Sequence, residues 1–62
     1  MIISMKAARV NANMTQLEAS KKLNISKSTL ANYEKGASIP GMKMGEKIAE
    51  LYGVPVDKIK FF

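Results

Sequence analysis

A three-residue break, Leu23-Asn24-Ile25, constrains this chain more than any other feature. Before it, Thr15 opens a helical pattern whose apolar positions Ala19 and Leu23 fall on one face. After it, Ser26 opens a second pattern that buries Leu30 and Tyr33 and stops at Gly36. Thr15 and Glu18 have the spacing of a capping box, and Ser26 is a favoured N-cap. Asn24 falls where the chain must reverse within a few residues, and asparagine is among the few non-glycine residues that tolerate positive φ. Ile25 is then expected to drop between the two helices, and the small residues Ala19 and Ser20 let them approach closely. Helices joined so tightly cross at about 90–120°.

The rest of the chain also reads as helix, giving an all-α expectation of five helices and no strand. The first spans Ser4 or Met5 to Ala12, with Ser4 as N-cap, Met5, Ala8 and Ala12 on one face, and Asn13 suited to the left-handed position after the last turn. The second covers about 15–23 and the third about 26–35. Residues 37–41, Ala-Ser-Ile-Pro-Gly, form a loop by composition. A fourth helix runs from Met42 to Tyr52, with Met44, Ile48, Ala49 and either Leu51 or Tyr52 inward and Gly53 as its stop. Pro55 suits the start of a short fifth helix.

At 62 residues a single domain, 1–62, is expected, and such a chain buries only about 60% of its unfolded surface. With no cysteine and no histidine, neither a disulfide nor a thiolate or imidazole metal site is available, so packing alone must hold the fold. No cofactor is expected. No apolar run approaches the ~20 residues of a membrane span, and the short Met-Ile-Ile start lacks a signal peptide's basic region. A soluble, cytoplasmic protein, bacterial or phage-encoded, is the expectation. Without His or Cys, and with five acidic residues of which Glu18 and Glu34 have structural roles, no acid/base or metal constellation for an enzyme remains.

The net charge of +5 is uneven. Residues 21–43 carry Lys21, Lys22, Lys27, Lys35 and Lys43 against Glu34 alone, whereas residues 44–62 balance Lys47, Lys58 and Lys60 against Glu46, Glu50 and Asp57. A basic patch by itself often does no more than keep a small protein soluble. Here it coincides with two helices joined by a tight turn, the outline of a helix-turn-helix, and so points to a polyphosphate partner, double-stranded DNA.

Gln16, Ala19, Leu23, Ile25, Ser26, Leu30, Tyr33, Glu34, Gly36, Pro40, Ile48-Ala49 and Gly53-Val54 form an ordered set that resembles the landmarks of phage repressor and Cro-type helix-turn-helix domains. The resemblance covers residues 5–61. It implies a five-helix DNA-binding domain whose third helix lies in the major groove. It further implies a structural salt bridge between Arg9 and Glu34, and a phosphate contact by Gln16. Three positions depart from the pattern: Gly45 replaces a large apolar residue, Leu17 a polar one, and Ser20 the commoner alanine. Gly45 should cost about 1 kcal/mol in helix propensity relative to alanine and more in lost packing. Leu17 is either a surface leucine or part of a contact patch.

With Leu30 and Tyr33 turned inward, Lys27, Ser28, Ala31 and Asn32 become the candidate base readers, Lys27 and Ser28 on the turn that enters the groove first. Lysine can donate to guanine, asparagine can pair bidentately with adenine, serine can serve either base, and the Ala31 methyl can touch thymine. Each such residue on a helix is equally often only solvated. Candidate phosphate contacts are Thr15, Gln16, Lys35, Ser38 and Lys43, for which the plainer alternatives are capping and solubility. One module contacts few base pairs, so a homodimer on a palindromic operator is expected, with Phe61 and Phe62 as its interface unless they merely close the core. No small-molecule effector is evident. The alternative is an antitoxin-like or adaptor module that binds protein through Leu17 and the Met-rich helices; its binding should hardly weaken as salt rises, whereas DNA binding should fall steeply.

Overall fold

The computed structural model describes residues 1–61, and the Phe62 expectation lies outside them. Four α-helices are present: α1 (Met5–Asn11), α2 (Gln16–Leu23), α3 (Lys27–Glu34) and α4 (Met42–Tyr52). The expected fifth helix is a single 3-10 turn, Val56–Lys58. It stops because Ile59 is already extended (φ −105°, ψ 133°) and paired in a sheet.

That sheet was not expected. Ile3–Ser4 (β1) and Ile59–Lys60 (β2) pair in parallel, Ile3 opposite Ile59 and Ser4 opposite Lys60, tying the two ends of the described chain together. Ser4 serves two elements at once. Its extended backbone (φ −71°, ψ 159°) belongs equally to a strand and to an N-cap, and its hydroxyl accepts the Ala7 N–H at 3.0 Å.

Three of the four helices start on a side-chain cap, α4 beginning at Gly41 without one, and all four stop on local chemistry. Thr15 Oγ1 accepts the Glu18 N–H at 3.1 Å while Glu18 returns a carboxylate oxygen to the Thr15 N–H at 2.9 Å, completing the capping box. Ser26 accepts the Thr29 N–H at 3.0 Å. At the far ends, Asn13 (φ 60°), Asn24 (φ 59°), Gly36 (φ 80°) and Gly53 (φ 70°) take the left-handed conformation. Each is followed by an N–H that reaches back to the last turn: Met14 to the Arg9 carbonyl, Ile25 to Ser20, Ala37 to Asn32 and Val54 to Ala49. These bonds satisfy carbonyls that a helix end would otherwise leave open.

The core consists of Met5, Ala8, Ala19, Leu23, Leu30, Ile48, Ala49, Tyr52 and Ile59, so Tyr52 rather than Leu51 is the fully buried member of α4's last turn. Ile25 is only half-buried at the edge of this core. Ala19 at 0% and Ser20 at 2% exposure form the closely packed face of α2, and the Ser20 hydroxyl avoids an unpaired burial by donating to the Leu17 carbonyl at 2.8 Å. Gly45 is buried on α4, and the Phe61 ring lies over it; a Cβ there would sit 3.5 Å from that ring. The missing side chain is thus filled from the C-terminal segment, which removes most of the packing loss expected of this glycine. Among the described residues no helix is long and apolar enough to cross a membrane.

Candidate nucleic-acid interface

Burial fixes the rotation of α3. Leu30 is wholly inaccessible and Tyr33 half-buried, which leaves Lys27, Ser28 and Asn32 exposed and Ala31 half-buried. Lys35 is exposed just after the helix, where its backbone (φ −92°, ψ 2°) carries the chain towards Gly36.

A buried polar cluster locks α1 to the two helices. Arg9 donates from Nε to Glu34 Oε2 at 2.8 Å and from Nη2 to Glu34 Oε1 at 3.2 Å, while Nη1 donates to the Met14 carbonyl at 2.9 Å. The two side chains are 9% and 5% exposed, so this fork-to-fork pair is shielded from solvent. The bond to Glu34 raises the Arg9 pKa further above its ordinary value, against the opposing effect of burial. Tyr52 lies close enough for its phenol to respond: burial first, then the Glu34 charge, pushes its pKa up to about 12, with Arg9 pulling the other way. The Tyr52 hydroxyl has no hydrogen-bond partner among the described residues.

Gln16 was singled out for phosphate, and it also belongs to this cluster. Its Nε2 donates one hydrogen to Glu34 Oε1 at 3.0 Å, a contact that no sequence pattern indicates because the residues are 18 apart. The Gln16–Glu34 bond fixes the plane of the amide beside the start of α2. There the first-turn N–H groups of Gln16 and Leu17 have no intrahelical acceptor.

Two neighbouring surface concavities gather most of the candidate residues. One, of about 510 Å³, is lined by Lys6, Arg9, Met14, Thr15, Gln16, Leu17 and Lys27. The other, of about 340 Å³, is lined by Lys6, Gln16, Ala31, Glu34 and Lys35. Ser28 and Asn32 project from α3 outside both, and Ser38 and Lys43 are exposed on the following loop and the first turn of α4. Leu17, at 49% exposure, faces the first concavity. Phe61 is half-buried against Gly45 of its own chain.

A capped helix, a left-handed asparagine, a second capped helix held across it and a basic outer face together make a helix-turn-helix, and the chain belongs to that family, whose model matches residues 5–59. It is of the Xre-like kind, a class of DNA-binding transcriptional regulators rather than enzymes. The chain is 38% identical over 55 residues to an uncharacterized HTH-type transcriptional regulator of Methanocaldococcus jannaschii, covering 89% of this chain and 83% of that protein. It is 35% identical over 51 residues to the cryptic phage CTXphi transcriptional repressor RstR of Vibrio cholerae, covering 82% of this chain and 46% of the repressor. It is 42% identical over 53 residues to the HTH-type transcriptional regulator ImmR of Bacillus subtilis, covering 86% of this chain and 42% of ImmR. The chain therefore spans less than half the length of the latter two. No solved structure matches it significantly.

Proposed function

We propose that this chain is a sequence-specific reader of double-stranded DNA that acts as a repressor, with α3 in the major groove. Lys27 and Ser28 enter first, and Ala31 and Asn32 follow along the base edges. Thr15, Gln16 and Lys35 hold phosphates on one side of the groove, and Ser38 and Lys43 hold the backbone beyond the loop. The observation that carries this reading is the arrangement of Lys27, Ala31 and Lys35 of the α3 region in the same pair of concavities as Gln16 and the start of α2. A duplex backbone lying along those concavities brings the outer face of α3 to the base edges.

The protein binds as a homodimer on a palindromic operator, its half-sites about 34–36 Å apart. Phe61 retains only the part of its ring not spent on Gly45 for such a contact. Selection from a randomised duplex pool at two salt concentrations tests the whole reading. A symmetric motif, recovered less efficiently at high salt, is the expected result. Enrichment without a motif, or no binding at low salt, refutes it and favours the protein-binding module, for which Leu17 is the exposed apolar residue best placed.

A further inference from the structure

Lys6 was not among the residues that pattern or resemblance singled out, yet it lines both concavities, and the only other residue common to the two is Gln16. Its position follows from α1 itself. Met5, Ala8 and Arg9 are the buried residues of that helix, which turns Lys6 outward, one turn from Arg9 and on the adjoining edge of the same face. The charges around it are unbalanced. Arg9 and Glu34 are spent on each other, and Glu18 is engaged with Thr15, so Lys6, Lys27 and Lys35 remain uncompensated. Among the described residues the Lys6 side chain has no hydrogen bond or ion pair. Beside it stands Gln16, whose amide is already held at one hydrogen by Glu34, so its second N–H is presented in a fixed direction without a partner.

We propose that Lys6 of α1 and Gln16 of α2 grip one phosphate of the duplex backbone between them, which makes the first helix part of the DNA interface. Gln16 supplies a directed N–H, oriented by Glu34, and Lys6 supplies the charge that exchanges for a condensed counterion. A phosphate at this position sits where the two concavities meet and lies between Lys27 and Lys35. The grip sets the depth at which α3 stands in the groove without reading a base.

This proposal rests on the DNA-binding reading, and its test separates the two. Binding of the full chain to its selected operator and to a random duplex is measured across a salt series for the wild type, Lys6→Ala, Lys6→Arg and Lys47→Ala. Lys47, exposed on α4, lines a different concavity with Lys22 and Glu50 and is the control. Lys6→Ala is expected to weaken both complexes by the same factor, about fivefold, and to flatten the slope of log K against log salt by about 0.9. Lys6→Arg should restore the slope, and Lys47→Ala should leave it unchanged. A wild-type slope in Lys6→Ala, or a loss confined to the operator, overturns the phosphate grip while leaving the DNA-binding reading intact. Failure of the wild type to bind any duplex at low salt removes that reading and this proposal with it. Lys6 is exposed, so circular dichroism of Lys6→Ala should match that of the wild type.

Discussion

Removing the charge of Glu34 should cost this protein a large part of its stability. A 62-residue domain at about 0.05–0.15 kcal/mol per residue has roughly 3–9 kcal/mol in total. Glu34 accepts two hydrogen bonds from Arg9 and one from Gln16 while only 5% exposed. Glu34→Leu leaves the Arg9 guanidinium buried without a counter-charge, and breaking a buried pair from one side costs about 3–5 kcal/mol. Arg9→Met strands the carboxylate in the same way. Because each single change incurs mainly the penalty of the partner left behind, the double variant Arg9→Met/Glu34→Leu should cost no more than either single, giving a coupling of at least about 3 kcal/mol. Urea unfolding followed by far-ultraviolet circular dichroism supplies all four corners of the cycle. At a slope of about 1 kcal/mol per molar, each single variant loses about 3 M in its midpoint, and the weaker one is largely unfolded without urea. Single costs below about 1 kcal/mol, or additive costs in the double variant, would show that the pair behaves like an exposed surface bridge and would refute the reasoning.

Three further outcomes follow from the same contacts. Tyr52 keeps its proton to about pH 12 when folded but releases it near pH 10 when unfolded, so the stability this phenol contributes is intact below pH 10 and falls by about 1.4 kcal/mol per unit between the two values. Alkaline titration of melting temperature should therefore be shallower in Tyr52→Phe, which at neutral pH should be within about 1 kcal/mol of the wild type because the hydroxyl has no partner to lose; an unchanged alkaline limb contradicts this. The Glu18 pKa is lowered by its bonds from the Thr15 backbone and hydroxyl, so its contribution is present above the ordinary glutamate value and disappears as pH falls through the lowered one. Glu18→Gln keeps a capping-box acceptor but cannot titrate, and should show a smaller acid-side fall in melting temperature than the wild type; equal falls would remove the capping box from the account of acid sensitivity. Gly45→Ala should raise stability by about 0.5–1 kcal/mol in chemical denaturation, since its backbone is helical and its new Cβ meets Phe61 at ordinary contact distance, 3.5 Å. A loss of stability would mean that the ring cannot tolerate the methyl group.

What the sequence revealed and what it concealed divide along the range of the forces involved. Helix ends were legible because capping is decided by residues three or four apart: Ser4, Thr15, Ser26, Asn13 and Asn24 each act on their own turn. The β1–β2 pair was not, because a two-residue strand has no alternation to detect, and Ile3 and Ile59 lie at opposite ends of the sequence. Gly45 was misjudged for a related reason. Its place in α4 pointed to lost packing, and only the returning chain brings the Phe61 ring over it.

The outward residues of α3 stand on different ground. Nothing intrinsic marks Lys27, Ser28 or Asn32 as a reader; their exposure follows from the burial of Leu30, which fixes the rotation of the helix. The outward face of α3 is thus the complement of its buried one. Lys6 lies on another helix, and its neighbourhood with Gln16 depends on how α1 is set against α2 and α3. That setting is fixed by the Arg9–Glu34–Gln16 cluster, which runs from α1 to α3 and on to α2. The same contacts that give this small core its rigidity therefore also bring together the residues proposed to hold the DNA backbone. A change at Glu34 should accordingly disturb phosphate contacts as well as stability, whereas a change at Lys6 should disturb the contacts alone.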